Sequence, residues 1–195
     1  MTTGLIIGLI ILIASVSFYA CKGKPKQADK IVQNDNVTKT EVKENPYFKM
    51  RTQAINVTAE QLQLKLDDDK AVYGILMDWN MGDVIVSVFS FTTGDASVYM
   101  STGQAFIGGY AHETVINAAK DFVKVGATYF SKAKKTEMIE PTSDVKVNFY
   151  FLTKSGKYYI EDDLTLIENG KSELTELFEA GNKVITEYRL ITDNK

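Results

Sequence analysis

The chain is 195 residues long, 45% hydrophobic and 24% charged, with a net charge of −3. That is an ordinary globular balance, and it fits one domain with its own core. A single cysteine, Cys21, and a single histidine, His112, exclude an intramolecular disulfide, a multi-histidine zinc site and a Cys/His catalytic pair in the folded part.

The first element is an uncharged run of 17 residues, Gly4 to Ala20, followed by Lys22, Lys24, Lys26 and Lys30. As a helix it would span about 26 Å, near the short end for a hydrocarbon core of about 30 Å. A cleaved signal peptide wants a basic n-region, and Met1-Thr2-Thr3 has none. A lipoprotein signal would end at Cys21 as the lipid attachment point. Ala20 suits it, but Phe18 and Tyr19 are bulky for the residues before such a cysteine. An uncleaved single-pass membrane anchor over residues 1–21 is the favoured reading. The lysines on its C-terminal side would then place the rest of the chain in the cytoplasm; a lipoprotein or a secreted protein is the alternative.

Residues 22–46 are polar, contain Pro25 and Pro46, and lack apolar periodicity, as in a flexible basic tether. Residues 1–46 hold six lysines and four acids, whereas residues 47–195 hold 16 basic and 21 acidic residues. The basic stretch suits anionic headgroups beside an anchor. The acidic part is a poor nucleic-acid partner, because that affinity rests on neutralising phosphates.

From residue 47 onwards the pattern is that of one α+β domain, 47–195. A helix is expected over Phe48 to Leu66, with a break at Val57 to Gln61 where Thr58 and Gln61 have capping-box spacing. Asp67-Asp68-Asp69 lacks the spacing of a calcium loop and reads as a polar turn. Strands follow at Val72 to Trp79, Val84 to Thr92 and Ala96 to Ser101, with spacing tight enough for an antiparallel meander. The second is apolar on both faces, which calls for a central place. A helix from Glu113 to Lys134 carries Val115, Ala119, Phe122 and Val123 on one stripe, with Lys132 and Lys134 in its last turn. A hairpin, Val145 to Thr153 and Tyr158 to Leu166, turns at Lys154-Ser155-Gly156-Lys157. A last helix, Glu173 to Leu190, is capped by Ser172, and Gly181 on its apolar stripe marks close packing or a break. The order helix-βββ-helix-ββ-helix predicts an antiparallel sheet of about five strands flanked by helices. This element order is similar to that of profilin-like and roadblock-like domains.

One segment has the residue types for ligand binding. Ser101, Thr102, Gly103, Gly108, Gly109, His112 and Glu113 form a glycine-rich connection into a helix N-terminus, where free amides can hold an anion. It lacks the ending of a P-loop and the spacing of a dinucleotide fingerprint. His112 has no nucleophile beside it in sequence, although Ser97, Tyr99 and Ser101 share one strand face nearby. Trp79 and the basic-aromatic hairpin with Tyr158 and Tyr159 have core packing and an exposed turn as their plain explanations.

Tyr73-Gly74-Ile75-Leu76-Met77, Gly94 through Gly103, Ile107-Gly108-Gly109 and His112-Glu113 together resemble a family of small, uncharacterised bacterial proteins. Phe149 to Thr153 and Leu177-Phe178 to Arg189 extend the resemblance over Val72 to Leu190. It implies one intact domain and no activity. The expected function is therefore a membrane-tethered, non-enzymatic interaction or scaffolding module, without metal or cofactor, that binds a protein partner or itself. The alternative is an anion or small-molecule binder, or a hydrolase, using residues 101–113.

Overall fold

A computed structural model describes residues 45–141 and 143–193. The expected anchor (residues 1–21), its Cys21 and the expected tether up to residue 44 lie outside the described residues. Among the described residues, no helix is long and apolar enough to cross a membrane.

The first helix, α1, covers Pro46–Ile55, so the domain reaches into the stretch expected to be tether. Pro46 occupies the first turn, where its missing N–H costs nothing. The Asn45 side chain caps the helix by accepting from the Tyr47 N–H at 3.0 Å. α1 ends before the expected break, and no second helix follows. Thr58 and Gln61 do exchange the two capping-box hydrogen bonds, at 2.8 and 3.3 Å, but the chain beyond them runs as turns.

The strands are β1 (Gly74–Asn80), β2 (Ile85–Phe91), β3 (Ala96–Met100), β4 (Ala105–Phe106), β5 (Lys134–Thr136), β6 (Lys146–Thr153) and β7 (Gly156–Asp163). They form one antiparallel sheet in the order β4-β3-β2-β1-β6-β7-β5. The fold is α+β, with seven strands among the described residues where about five were expected. The two extra ones are the short edge strands β4 and β5, each too brief to carry a readable alternation. The middle strand is β1; β2 stands beside it, buried on both faces.

On one face lie α2 (Glu113–Tyr129) and α4 (Thr175–Asp193), with the short α3 (Leu164–Glu168) between β7 and α4. Their stripes bury Val115, Phe122, Leu177 and Val184 against Met77, Val88 and Phe149. α2 stops at Tyr129, and a single 3-10 turn, Phe130–Lys132, leads into β5. Lys132 and Lys134 therefore lie past the helix end rather than in its last turn. α4 starts at Thr175, two residues later than expected, and Ser172 lies in the turn ahead of it, its Oγ accepting from the Leu174 N–H at 2.9 Å. α4 runs unbroken through Gly181, where a Cβ would come within 2.8 Å of the Met77 sulfur. The glycine is there for close approach of helix to sheet. Trp79 packs edge-to-face on Phe178 at 5.1 Å, a core role.

The other face is covered by α1 and the turns after it. Tyr47, Ala54 and Ile55 meet Leu76, Phe89, Tyr99, Tyr150 and Leu152. The period of two along each strand explains the division: Ile75 and Met77 face α2 and α4, while Leu76 and Asp78 face α1.

Candidate functional site

The segment from Ser101 to Glu113 is a hairpin turn, a short edge strand and an entry into α2. Its polar groups are largely occupied from within. The Ser101 hydroxyl accepts from the Ile85 N–H at 2.9 Å, and its carbonyl accepts from the Asn45 side chain at 2.8 Å. The Gly103 N–H donates to the Met100 carbonyl, closing the turn, while Thr102 stays exposed. Gly108 takes a positive φ of 81° and starts a 3-10 turn, Gly109–Ala111. Gly109 is buried because its neighbours leave no room: a Cβ there would meet the Tyr188 hydroxyl and come within 2.6 Å of Val115 Cγ1. The Tyr188 hydroxyl donates to the Ala96 carbonyl at 2.5 Å and stands against Gly109. Burial pushes this phenol up to about 12.

His112 occupies the cap position of α2 in extended conformation, and its side chain makes no capping hydrogen bond. It borders a shallow depression with Phe106, Ile107, Tyr188 and Ile191. Glu113 is exposed in the first turn. Tyr99 packs in the core on the α1 side of the sheet, whereas Tyr188, beside His112, belongs to the core on the α2 and α4 side. The fold thus sets the Ser97-Tyr99 strand face away from His112. What the segment presents to solvent is apolar. Ile107 is 71% exposed and Tyr110 is 70% exposed, on a stretch, Ala105 to Ala111, without a charged residue.

The largest concentration of buried polar chemistry lies elsewhere, under α1. Asp78 is 0% and Arg51 2% exposed. Arg51 donates from Nε to both Asp78 oxygens at 3.1 Å and from a terminal nitrogen to Oδ2. Its other terminal nitrogen donates to the Ile139 carbonyl at 2.5 Å. Asp78 Oδ1 also accepts from the Ser87 hydroxyl at 2.5 Å, and Ser87 shares a 2.9 Å hydrogen bond with the Tyr47 hydroxyl. The guanidinium stands 5.6 Å from the centre of the Tyr150 ring. Burial by itself would lower the Arg51 pKa, but the adjoining Asp78 carboxylate reverses this and holds it above its ordinary value. Burial, reinforced by Asp78, pushes the Tyr47 phenol up to about 12. The arrangement joins α1, β1 and the connection between β5 and β6 in one charge-assisted cluster.

Sequence reasoning passed over these residues, although they leave a trace. Asp78 and Asn148 interrupt otherwise apolar strands and face each other across the β1–β6 ladder. Ser87 faces Asp78 on the other side. A charged residue amid a buried strand demands a partner, and one of the chain's two arginines supplies it.

Beyond Asn148 the same face opens into a cavity of about 300 Å³ bordered by Thr136, Glu140, Tyr150, Tyr159 and Glu161. Tyr150 and Tyr159 are stacked neighbours, 6.3 Å between ring centres. The Tyr150 hydroxyl donates to the Glu140 carbonyl at 3.1 Å. Among the described residues, no three His, Cys, Asp or Glu side chains converge so as to hold a metal ion.

No family model, curated protein or solved structure matches this chain. The site is therefore read from its geometry alone.

Proposed function

We propose that this chain is a membrane-tethered, non-enzymatic interaction module whose acidic domain faces the cytoplasm and meets a second copy of itself. The uncharged N-terminal run followed by lysines supports the tether. One observation carries the interaction surface: Ile107 and Tyr110 stand exposed on the uncharged segment from Ala105 to Ala111. An acidic domain repels its own copy over most of its surface, and an uncharged apolar patch is where that repulsion is least. Sheet edges are poor alternatives. β4 has two residues, and β5 has three, of which Lys134 and Lys135 are exposed. Short, lysine-bearing edges resist strand addition.

A cysteine placed in the patch tests the contact. Cys21→Ser removes the only native thiol, and Ile107→Cys introduces one. Mild oxidation of the full-length protein in membranes should give a covalent dimer. Cysteine at exposed Glu168, on α3, serves as the control. A dimer equally abundant from both positions, or from neither, would remove the patch from the account. Topology has its own test: a reporter fused after Lys195 should be active in the cytoplasm, and activity only outside the membrane would overturn the orientation.

The alternative, ligand binding by residues 101–113, predicts stabilisation by small anions or nucleotides that His112→Ala removes. The inward use of the Ser101 and Gly103 groups and the burial of Gly109 weigh against it.

A further inference from the structure

The cavity beside the Arg51–Asp78 cluster has its own chemistry, independent of the apolar patch. Its polar lining includes two carboxylates, Glu140 and Glu161, the side chain of Asn148 and two tyrosines, with no lysine or arginine. Asn148 is 4% exposed, and its Oδ1 has no hydrogen-bond partner among the described residues. Its orientation is set by a neighbour. The Tyr150 hydroxyl gives its proton to the Glu140 carbonyl, so the phenol oxygen can only accept, and Asn148 Nδ2 faces it at 3.5 Å. The carbonyl end of the amide is left over. A buried acceptor without a donor is costly. Trp79 Nε1 and Ser90 Oγ are also buried without a partner among the described residues, but of the three only Asn148 Oδ1 belongs to a residue that lines this cavity.

We propose that this cavity binds the ammonium end of a small alkyl amine, with Asn148 Oδ1 accepting from the ammonium and Glu140 supplying the countercharge. The donor-only chemistry of an ammonium matches a leftover carbonyl oxygen in a cavity whose lining includes Glu140 and Glu161. An anion would face two carboxylates and no cationic lining residue. A purely apolar ligand would leave Oδ1 unsatisfied. Glu161 is already paired with Lys146 at 2.9 Å, whereas Glu140, whose Oε2 accepts only from the Ile139 N–H at 3.2 Å, has no ion-pair partner among the described residues and is the carboxylate for the ligand. At about 300 Å³ the space is at the small end for a ligand pocket, enough for a short chain lying along Tyr159. The same ammonium chemistry is offered by a free diamine and by a lysine side chain.

Full-length protein in detergent is titrated calorimetrically with cadaverine, with lysine capped at both its α-amino and carboxyl groups, and with 1-pentanol and glutarate as neutral and anionic counterparts. Saturable binding of cadaverine or capped lysine, and not of pentanol or glutarate, is expected. Cadaverine alone would identify a free amine as the ligand, and capped lysine alone a peptide side chain. Asn148→Leu should weaken the binding at least tenfold. Because Asn148 is buried, the exposed Glu140→Gln provides a second variant that leaves the core untouched, and it should weaken binding several-fold and flatten its salt dependence. Absence of binding by both amines, equal binding of pentanol, or unchanged affinity in Glu140→Gln would overturn the proposal.

Discussion

Arg51 grips both carboxylate oxygens of Asp78 beneath α1, in a space closed to solvent. Neither residue has another full charge among its hydrogen-bond partners. Arg51 also reaches the Ile139 carbonyl, so the pair holds a helix and a connecting loop to the middle strand at once. Removing one partner should therefore be far worse than removing both. Asp78→Asn or Arg51→Met leaves a buried charge alone and should cost about 3–5 kcal/mol. The double variant Arg51→Met, Asp78→Leu should recover most of that loss. Trp79, the only tryptophan, reports unfolding in urea by its fluorescence. A double variant as unstable as the sum of the singles would show that the pair is not coupled as described.

Alkaline stability follows from the buried phenols. Tyr47 and Tyr188 are each pushed from 10.0 up to about 12 by burial, and Tyr150 is raised for the same reason. A group whose pKa is higher when folded holds its proton more tightly in the native state. Its contribution is complete below pH 10 and is lost as the pH rises towards 12. The urea midpoint should fall steeply across that interval. Tyrosinate absorbance should show these phenols ionising only as the protein unfolds. A midpoint that is flat between pH 10 and 12 would contradict this.

Two glycines are required by neighbours rather than by turns. Gly181 lets α4 settle on Met77, and Gly109 makes room for Tyr188 and Val115. Alanine at either should cost about 1–3 kcal/mol through overpacking. His112→Ala, at a cap position without a side-chain hydrogen bond, should stay within about 0.5 kcal/mol of the native protein. Thermal unfolding of the three variants separates them. A histidine variant as unstable as the glycine variants would mean that the imidazole holds the loop together.

The long helices were legible because each keeps one apolar period over many residues, and the central strands because each is a near-continuous apolar run bounded by turn residues. α2 and α4 are of the first kind, β1, β2 and β6 of the second. The edge strands were not, since two residues at Ala105–Phe106 and three at Lys134–Thr136 hold no pattern; they exist because neighbouring strands offer free hydrogen-bonding groups. α1 was placed too late and drawn too long. Its buried face is Tyr47, Arg51, Ala54 and Ile55, and an arginine at the centre of that face hides the apolar stripe. The partner that makes burial tolerable, Asp78, lies 27 residues away, beyond the reach of local spacing. The glycine-rich segment looked like a ligand loop because its composition permits one. What composition leaves open is where its polar groups turn and what crowds it, which depends on Ile85 and Tyr188 from distant elements.

In the proposed dimer, two copies meet through the uncharged segment holding Ile107 and Tyr110. Sedimentation equilibrium of the full-length chain in detergent tests it most directly. The native protein should pass from monomer to dimer as its concentration rises. The doubly charged variant Ile107→Glu, Tyr110→Glu should remain monomeric with an unchanged thermal midpoint, since both side chains stand in solvent. A native chain that is monomeric at every concentration, or a dimer that survives both substitutions, would contradict the account.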